Sequence, residues 1–124
     1  MDALIDGLTH EVIGAAIEVH RHLGPGYLES VYEEALGIEL GLRGVSFRRQ
    51  VVFSLDYKGH PVGEGRMDLL VGEVLVVELK AVDGLAPIHT AQAISYLKAT
   101  RHRLALLINF NVPVLKDGIK RVVV

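Results

Sequence analysis

The sequence predicts an α+β fold in which helices flank a central mixed β-sheet. Three observations carry that expectation. Apolar residues recur at three- and four-residue steps as far as Leu42, and the pattern then switches to the valine-rich alternation of strands. The strand-like half is punctuated by short glycine-bearing segments, "KGH", "GEG" and "VGE", which suit hairpins. A further helical stretch separates two very apolar strands, and a helix-length connection is what a parallel crossover requires.

The elements follow in chain order. Residues 4–22 place Ile5, Leu8, Val12, Ala15 or Ala16, and Val19 on one helical stripe. "GPG" at Gly24 to Gly26 breaks that helix. A second helix is expected from about Tyr27 to Leu42, with Leu28, Val31, Ala35, Ile38 and Leu42 as its apolar stripe and Gly44 as its stop. Three antiparallel strands are expected at roughly 46–57, 61–71 and 73–82. Pro87 suits the first turn of a helix over about 87–101 that carries Ile88, Ala91, Ile94, Ser95 and Leu97. "RLALLINF" (103–110) reads as a buried strand and "IKRVVV" as an edge strand. With no repeat, linker or low-complexity segment, one domain is expected over residues 1–124.

Composition bounds the function. Hydrophobic residues make up 50% of the chain, yet no uninterrupted apolar run approaches the roughly 20 residues of a membrane span. The start, "MDALIDGLTHEV", has no basic n-region and no long apolar stretch, so a signal peptide is not expected. The absence of cysteine excludes disulfides and thiolate metal sites. These features read as a soluble cytoplasmic protein with no membrane partner. The net charge of -2, from 13 Lys+Arg against 15 Asp+Glu, argues against a protein that coats nucleic acid non-specifically. It leaves room for an enzyme whose acids gather at one metal. The basic clusters at Arg48-Arg49 and at Lys98, Arg101 and Arg103 read first as solvated loop and helix ends.

One stretch, "DLLVGEVLVVELKAV", departs from a plain buried strand. Glu78 and Lys80 interrupt an apolar run in which each charge costs several kcal/mol unless partnered. Period two puts both on one face with Val74 and Val76, roughly 7 Å apart, while Leu75, Val77 and Leu79 face the other way. An ion pair at a strand end is one explanation. Asp68 in the preceding strand offers another, because two carboxylates on adjacent strands repel unless a cation lies between them. A hard divalent ion takes carboxylate oxygens, and a nearby lysine can steady charge that builds on a phosphoryl group. Register decides whether Asp68 joins that face. A two-residue turn at Gly72-Glu73 sends it to the opposite face, whereas a loop of Val71-Gly72-Glu73 sets it opposite Val76 and diagonal to Glu78. An odd-length loop or a bulge is therefore expected.

Asp68, nine intervening residues, then Glu78-Leu79-Lys80 resembles the signature of the PD-(D/E)xK nuclease superfamily. "GPGYLESVYEEAL" matches the GxxExxY motif of a small-protein branch of that superfamily at Gly26, Glu29 and Tyr32. "VHRHLGPG", "HTAQAISYLKA" and "LLINF" resemble the same branch in order and spacing, so the likeness covers about residues 10 to 123. Met67 stands where the superfamily's pattern has proline.

The resemblance implies a restriction-endonuclease-like core and Mg²⁺- or Mn²⁺-dependent hydrolysis of phosphodiester bonds in DNA or RNA. It implies that Asp68 and Glu78 bind metal, that the Leu79 carbonyl adds a backbone ligand, and that Lys80 is catalytic. Glu29 matches the helical glutamate that often completes such sites; apart from the resemblance, the helix dipole alone favours an acid in a first turn. Gln92 and Tyr96 resemble a QxxxY pair that follows the catalytic lysine in part of the superfamily. They share a helix face with His89 one turn earlier, which also suits an ordinary amphipathic edge. His20 and His22 are two apart on a helix and point in different directions, which suits structural or surface roles. The alternative from a different class is a non-cleaving nucleic-acid-binding or regulatory module on the same fold. The complete acid, acid and lysine set weighs against lost chemistry. The small size is compatible with a homodimer.

Overall fold

Asp2 opens the first helix by accepting the Leu4 N–H on its side chain, which satisfies one of the donors that a helix start leaves free. The computed structural model describes residues 2–124. Its elements are α1 (Ala3–Leu23), α2 (Glu29–Leu42), β1 (Phe47–Tyr57), β2 (His60–Val71), β3 (Leu75–Lys80), α3 (Pro87–Thr100), β4 (Leu104–Asn109) and β5 (Ile119–Val123). One turn of 3-10 helix at Leu115–Gly118, which periodicity did not mark, leads into β5.

The sheet runs in the order β1-β2-β3-β4-β5. Every neighbouring pair is antiparallel except β3 and β4, which are parallel and joined through α3. The fold is thus the expected α+β arrangement around a mixed sheet. Two apolar layers hold it together. On one face, Leu75, Val77 and Leu79 pack with α1 and α2 through Val12, Ala16, Leu36 and Leu40. On the other, Val76 packs with Ala93 and Leu97 of α3. Alternation along β3 therefore sends Glu78 and Lys80 to the α3 side of the sheet.

The apolar stripe expected on α2 is not the one that is buried. Tyr32, Glu33, Leu36 and Leu40 face inward. Leu28, Ile38 and Leu42 are 75%, 61% and 78% exposed, and Val31 is exposed as well. The helix carries two four-spaced apolar rows, and Tyr32 decides between them. Its ring stacks on Phe110 with centroids 4.5 Å apart. Its hydroxyl donates to the Gly24 carbonyl at 2.6 Å and accepts the Tyr27 N–H at 3.1 Å. An amphipathic ring of that size is best placed with its body in the core and its tip on a polar partner. The "GPG" turn is thereby tied to α2, and the helix begins at Glu29, after an extended Leu28, rather than at Tyr27. On α3 the inward residues are Ala93 and Leu97, while Ile88 is 69% exposed.

The β2–β3 connection sets the register that the site needs. Val71 pairs with Leu75, so the loop is Gly72, Glu73 and Val74. Gly72 and Glu73 both have left-handed backbone, at φ 57 and 62. The Val74 N–H closes the turn on the Val71 carbonyl. Glycine suits position 72, where the backbone is left-handed and an added Cβ would lie 2.6 Å from Leu8 Cδ1 and force that side chain to shift.

Replacing Tyr32 by Phe keeps the stack on Phe110 but leaves the Gly24 carbonyl and the Tyr27 N–H without this partner. Urea denaturation should show a loss of about 1–3 kcal/mol. An unchanged midpoint would mean that water serves the turn equally well.

Candidate metal and catalytic site

The β2–β3 ladder stops at Leu69↔Val77. The next opposed positions are Asp68 and Glu78. The loop is odd, as expected, but lies one residue later, so the two acids oppose each other directly instead of diagonally. Here side chains replace backbone as acceptors. The Asp68 N–H donates to Glu78 Oε2 at 2.8 Å, and the Leu79 N–H donates to Asp68 Oδ2 at 2.8 Å. When the accepting carboxylate is ionised, a bond of this kind is roughly twice as strong as a neutral one.

The remaining carboxylate oxygens, Asp68 Oδ1 and Glu78 Oε1, take no part in these bonds. Among the described residues no buried side-chain oxygen or nitrogen lacks a partner, so both oxygens reach solvent. The backbone adds a third oxygen. The Lys80 carbonyl accepts the Phe110 N–H and therefore points towards β4. Successive residues of a strand point to opposite neighbours, so the Leu79 carbonyl points towards β2 and the same gap.

Electrostatics reflect the crowding. Burial is the largest influence on Glu78, which is 4% exposed, and the Asp68 charge is the next; together they push its carboxyl up to about 8. Burial also raises Asp68, opposed by the Leu79 N–H, while Glu33 and Glu29 raise it further. Lys80 is the cation that lowers both acids.

Lys80 is half-buried, and its Nζ donates to Gln92 Oε1 at 3.3 Å. Gln92 Nε2 in turn donates to the Tyr96 hydroxyl at 3.4 Å. The Tyr96 ring meets Phe53 edge-on, with centroids 4.9 Å apart. Asn109, paired with Lys80 across β4, clamps the chain just beyond the lysine. Its side chain accepts the Val82 N–H and donates to the Val82 carbonyl.

The fold therefore gathers Asp68, Glu78, Leu79, Lys80, Gln92 and Tyr96 at the end of β3. Glu29 stands differently. It is exposed in the first turn of α2, and its charge raises both acids. Among the described residues no three His, Asp or Glu side chains close into a ready metal cluster. The donor types still fit a hard divalent ion: Asp68 and Glu78 each keep one carboxylate oxygen out of these hydrogen bonds, and Mg²⁺ usually completes its shell with water. His89 Nδ1 accepts the Ala86 N–H at 2.9 Å at the start of α3. His20 bonds to the Val112 carbonyl and His22 pairs with Glu18, so neither belongs to this site.

Three residues near the acids escaped the sequence reading. Glu33 is 8% exposed. Its Oε1 accepts from Gln50 Nε2 at 2.6 Å, and its Oε2 accepts from Arg49 at 3.0 and 3.1 Å. A signal was present: Glu33 lies three residues before Leu36, on the row that proves to be buried. Arg49, read as solvated, is indeed exposed, and its guanidinium pairs with both Glu33 and Glu34.

A family profile described as the PD-(D/E)XK nuclease superfamily matches residues 6–122. No curated protein and no solved structure matches significantly.

The Glu78 carboxyl predicts the pH dependence of the metal-free protein. Its folded value of about 8 lies above the ordinary 4.5, so the folded state holds the proton more tightly. The associated stability is full below 4.5 and is lost as pH rises through about 8. Melting temperature in EDTA should fall across that window, and Glu78→Gln, which cannot ionise, should flatten the slope. A wild-type melting temperature that holds steady or climbs there would contradict the crowding of Asp68 and Glu78.

Proposed function

The chain belongs to the PD-(D/E)XK nuclease superfamily, and we propose that it is a divalent-metal-dependent nuclease of the GxxExxY branch that hydrolyses phosphodiester bonds in DNA or RNA. The observation that carries this reading is the open rung at Asp68 and Glu78, with Lys80 two residues on and tethered to Gln92.

Asp68 and Glu78 would hold Mg²⁺ or Mn²⁺ through their free oxygens, with the Leu79 carbonyl and Glu29 as further donors. When bound, such an ion supplies Lewis-acid charge for a phosphate oxygen and makes a water more acidic. The chain's own residues do the rest. Lys80 holds an ammonium beside the acids, where it can balance charge that develops on the phosphoryl oxygens. Gln92 fixes Nζ through Oε1, and Tyr96 fixes the Gln92 amide. Phe53 sits against the Tyr96 ring, so the row is anchored in the apolar layer under α3. No residue needs to form a covalent intermediate, since phosphoryl transfer is served by positioning and electrostatics. The competing reading, a nucleic-acid-binding or regulatory module, uses the same surface without cutting.

Single- and double-stranded DNA and RNA should be tested with Mg²⁺ or Mn²⁺ and an EDTA control. At least one should be cleaved, and EDTA should stop the reaction. Lys80→Ala should reduce turnover by on the order of 10²–10³ and leave Mn²⁺ affinity nearly unchanged, because ammonium is not a ligand. Asp68→Ala and Glu78→Ala should weaken Mn²⁺ binding itself. Retention of nucleic acid without cleavage under any of these metals would favour the binding module.

A further inference from the structure

β1 and β2 reverse their side-chain alternation at a single rung. On one side of it, Phe47, Leu69 and Val71 belong to the apolar layer under α1 and α2. On the other side, Val51, Phe53 and Met67 belong to the layer under α3. Strict alternation would keep Phe47 with Val51, and Leu69 with Met67. The pairing passes from Arg49↔Leu69 to Val51↔Met67, which leaves Gln50 and Asp68 facing each other outside the ladder.

Gln50 has φ 52, in the left-handed region that a residue with a side chain rarely enters without a local reason. The reason here is its amide. Gln50 Nε2 donates to Glu33 Oε1 at 2.6 Å, and Arg49 fixes the other oxygen of the same buried carboxylate. Arg49 and Gln50, which are consecutive, therefore both reach α2. Regular strand geometry forbids that, because successive side chains point to opposite faces.

The consequence falls on Asp68. A regular strand stands its side chains perpendicular to the sheet. Asp68 Oδ2 instead accepts the Leu79 N–H of the neighbouring strand, a donor that points along the sheet. We propose that Gln50 is a positioning residue for Asp68: its hydrogen bond to Glu33 holds the left-handed step in β1 that reverses the rung and lays the Asp68 carboxylate along the sheet, facing Glu78. This rests on Asp68 and Glu78 being the metal pair, and it adds Gln50 and Glu33 to what determines their geometry.

Two measurements on the intact chain read it separately. The first needs no metal: hydrogen exchange of the Leu79 amide, followed by NMR. In Gln50→Ala that amide should exchange at least about tenfold faster, while Val77 and Ile108 keep their protection. Gln50→Asn, which keeps an amide and tolerates left-handed backbone, should restore much of the protection. The second is Mn²⁺ affinity by calorimetry. Gln50→Ala should weaken binding about tenfold in the wild-type background and have little further effect in Asp68→Asn, because both changes act through one carboxylate. Unaltered Leu79 exchange in a folded Gln50→Ala overturns the proposal. So does a loss of Mn²⁺ affinity that simply adds to that of Asp68→Asn. A wild type that binds no Mn²⁺ overturns the metal reading instead, and the Leu79 exchange still decides the role of Gln50.

Discussion

At the end of the β2–β3 ladder, two backbone N–H groups are given to carboxylates instead of carbonyls, and the rest of the site depends on that exchange. Asp68 N–H to Glu78, and Leu79 N–H to Asp68, hold two acids face to face in a poorly solvated gap. A hydrogen bond to a charged group contributes about 1.5–3 kcal/mol, whereas burying an ion costs several kcal/mol. Two such bonds do not offset two buried charges, so Glu78 holds its proton far above the ordinary carboxylate range. Glu33 and Glu29 add negative potential from α2. Arg49 is engaged by Glu33 and Glu34, and Lys80 is the cation that lowers both acids. A divalent ion would relieve this arrangement, and the metal-free protein carries the cost of keeping it.

The sheet's two faces divide the labour. Under α1 and α2 the packing is wholly apolar along β3, and Tyr32 ties the "GPG" turn and α2 to Phe110 at the end of β4. That side acts as a fixed floor from which Glu33 reaches the sheet. The α3 side is mixed: its apolar layer ends where Lys80, Gln92 and Tyr96 form a polar row backed by Phe53. Motif residues thus have different physical tasks. Glu29 brings charge to the site, whereas Tyr32, three residues later, is fully buried and braces a turn.

Much of this was legible from periodicity. The order of helices and strands, the parallel crossover and the shared face of Glu78 and Lys80 all follow from where apolar residues recur. The register of Asp68 was right in parity and wrong by two residues: it opposes Glu78 rather than Val76. The left-handed Gly72 and Glu73 make a tight turn that leaves Val74 as the extra residue, and nothing in the composition of "VGEV" distinguishes that from a loop beginning at Val71. The buried row of α2 was misassigned because the helix has two apolar rows, and only the partner at Phe110 chooses between them. Gln50 was invisible for a deeper reason. Its left-handed backbone is not a preference of glutamine but a result of its bond to Glu33, which is distant in sequence. Spacing likewise does not show side-chain reach: the Glu29 charge raises both acids, yet among the described residues it closes no cluster with them.

The most direct test is calorimetric titration of the metal-free protein with Mn²⁺ at pH 7, repeated in buffers of different ionisation enthalpy. Such a series separates the heat of binding from the heat of proton release. With burial and the Asp68 charge pushing the Glu78 carboxyl up to about 8, each ion that binds there must expel the Glu78 proton. The account predicts binding with release of about one proton per ion, and no such release from Glu78→Gln. Mn²⁺ binding whose heat is the same in every buffer would contradict the claim that the two carboxylates form one crowded site, and the absence of any binding would contradict the metal site altogether.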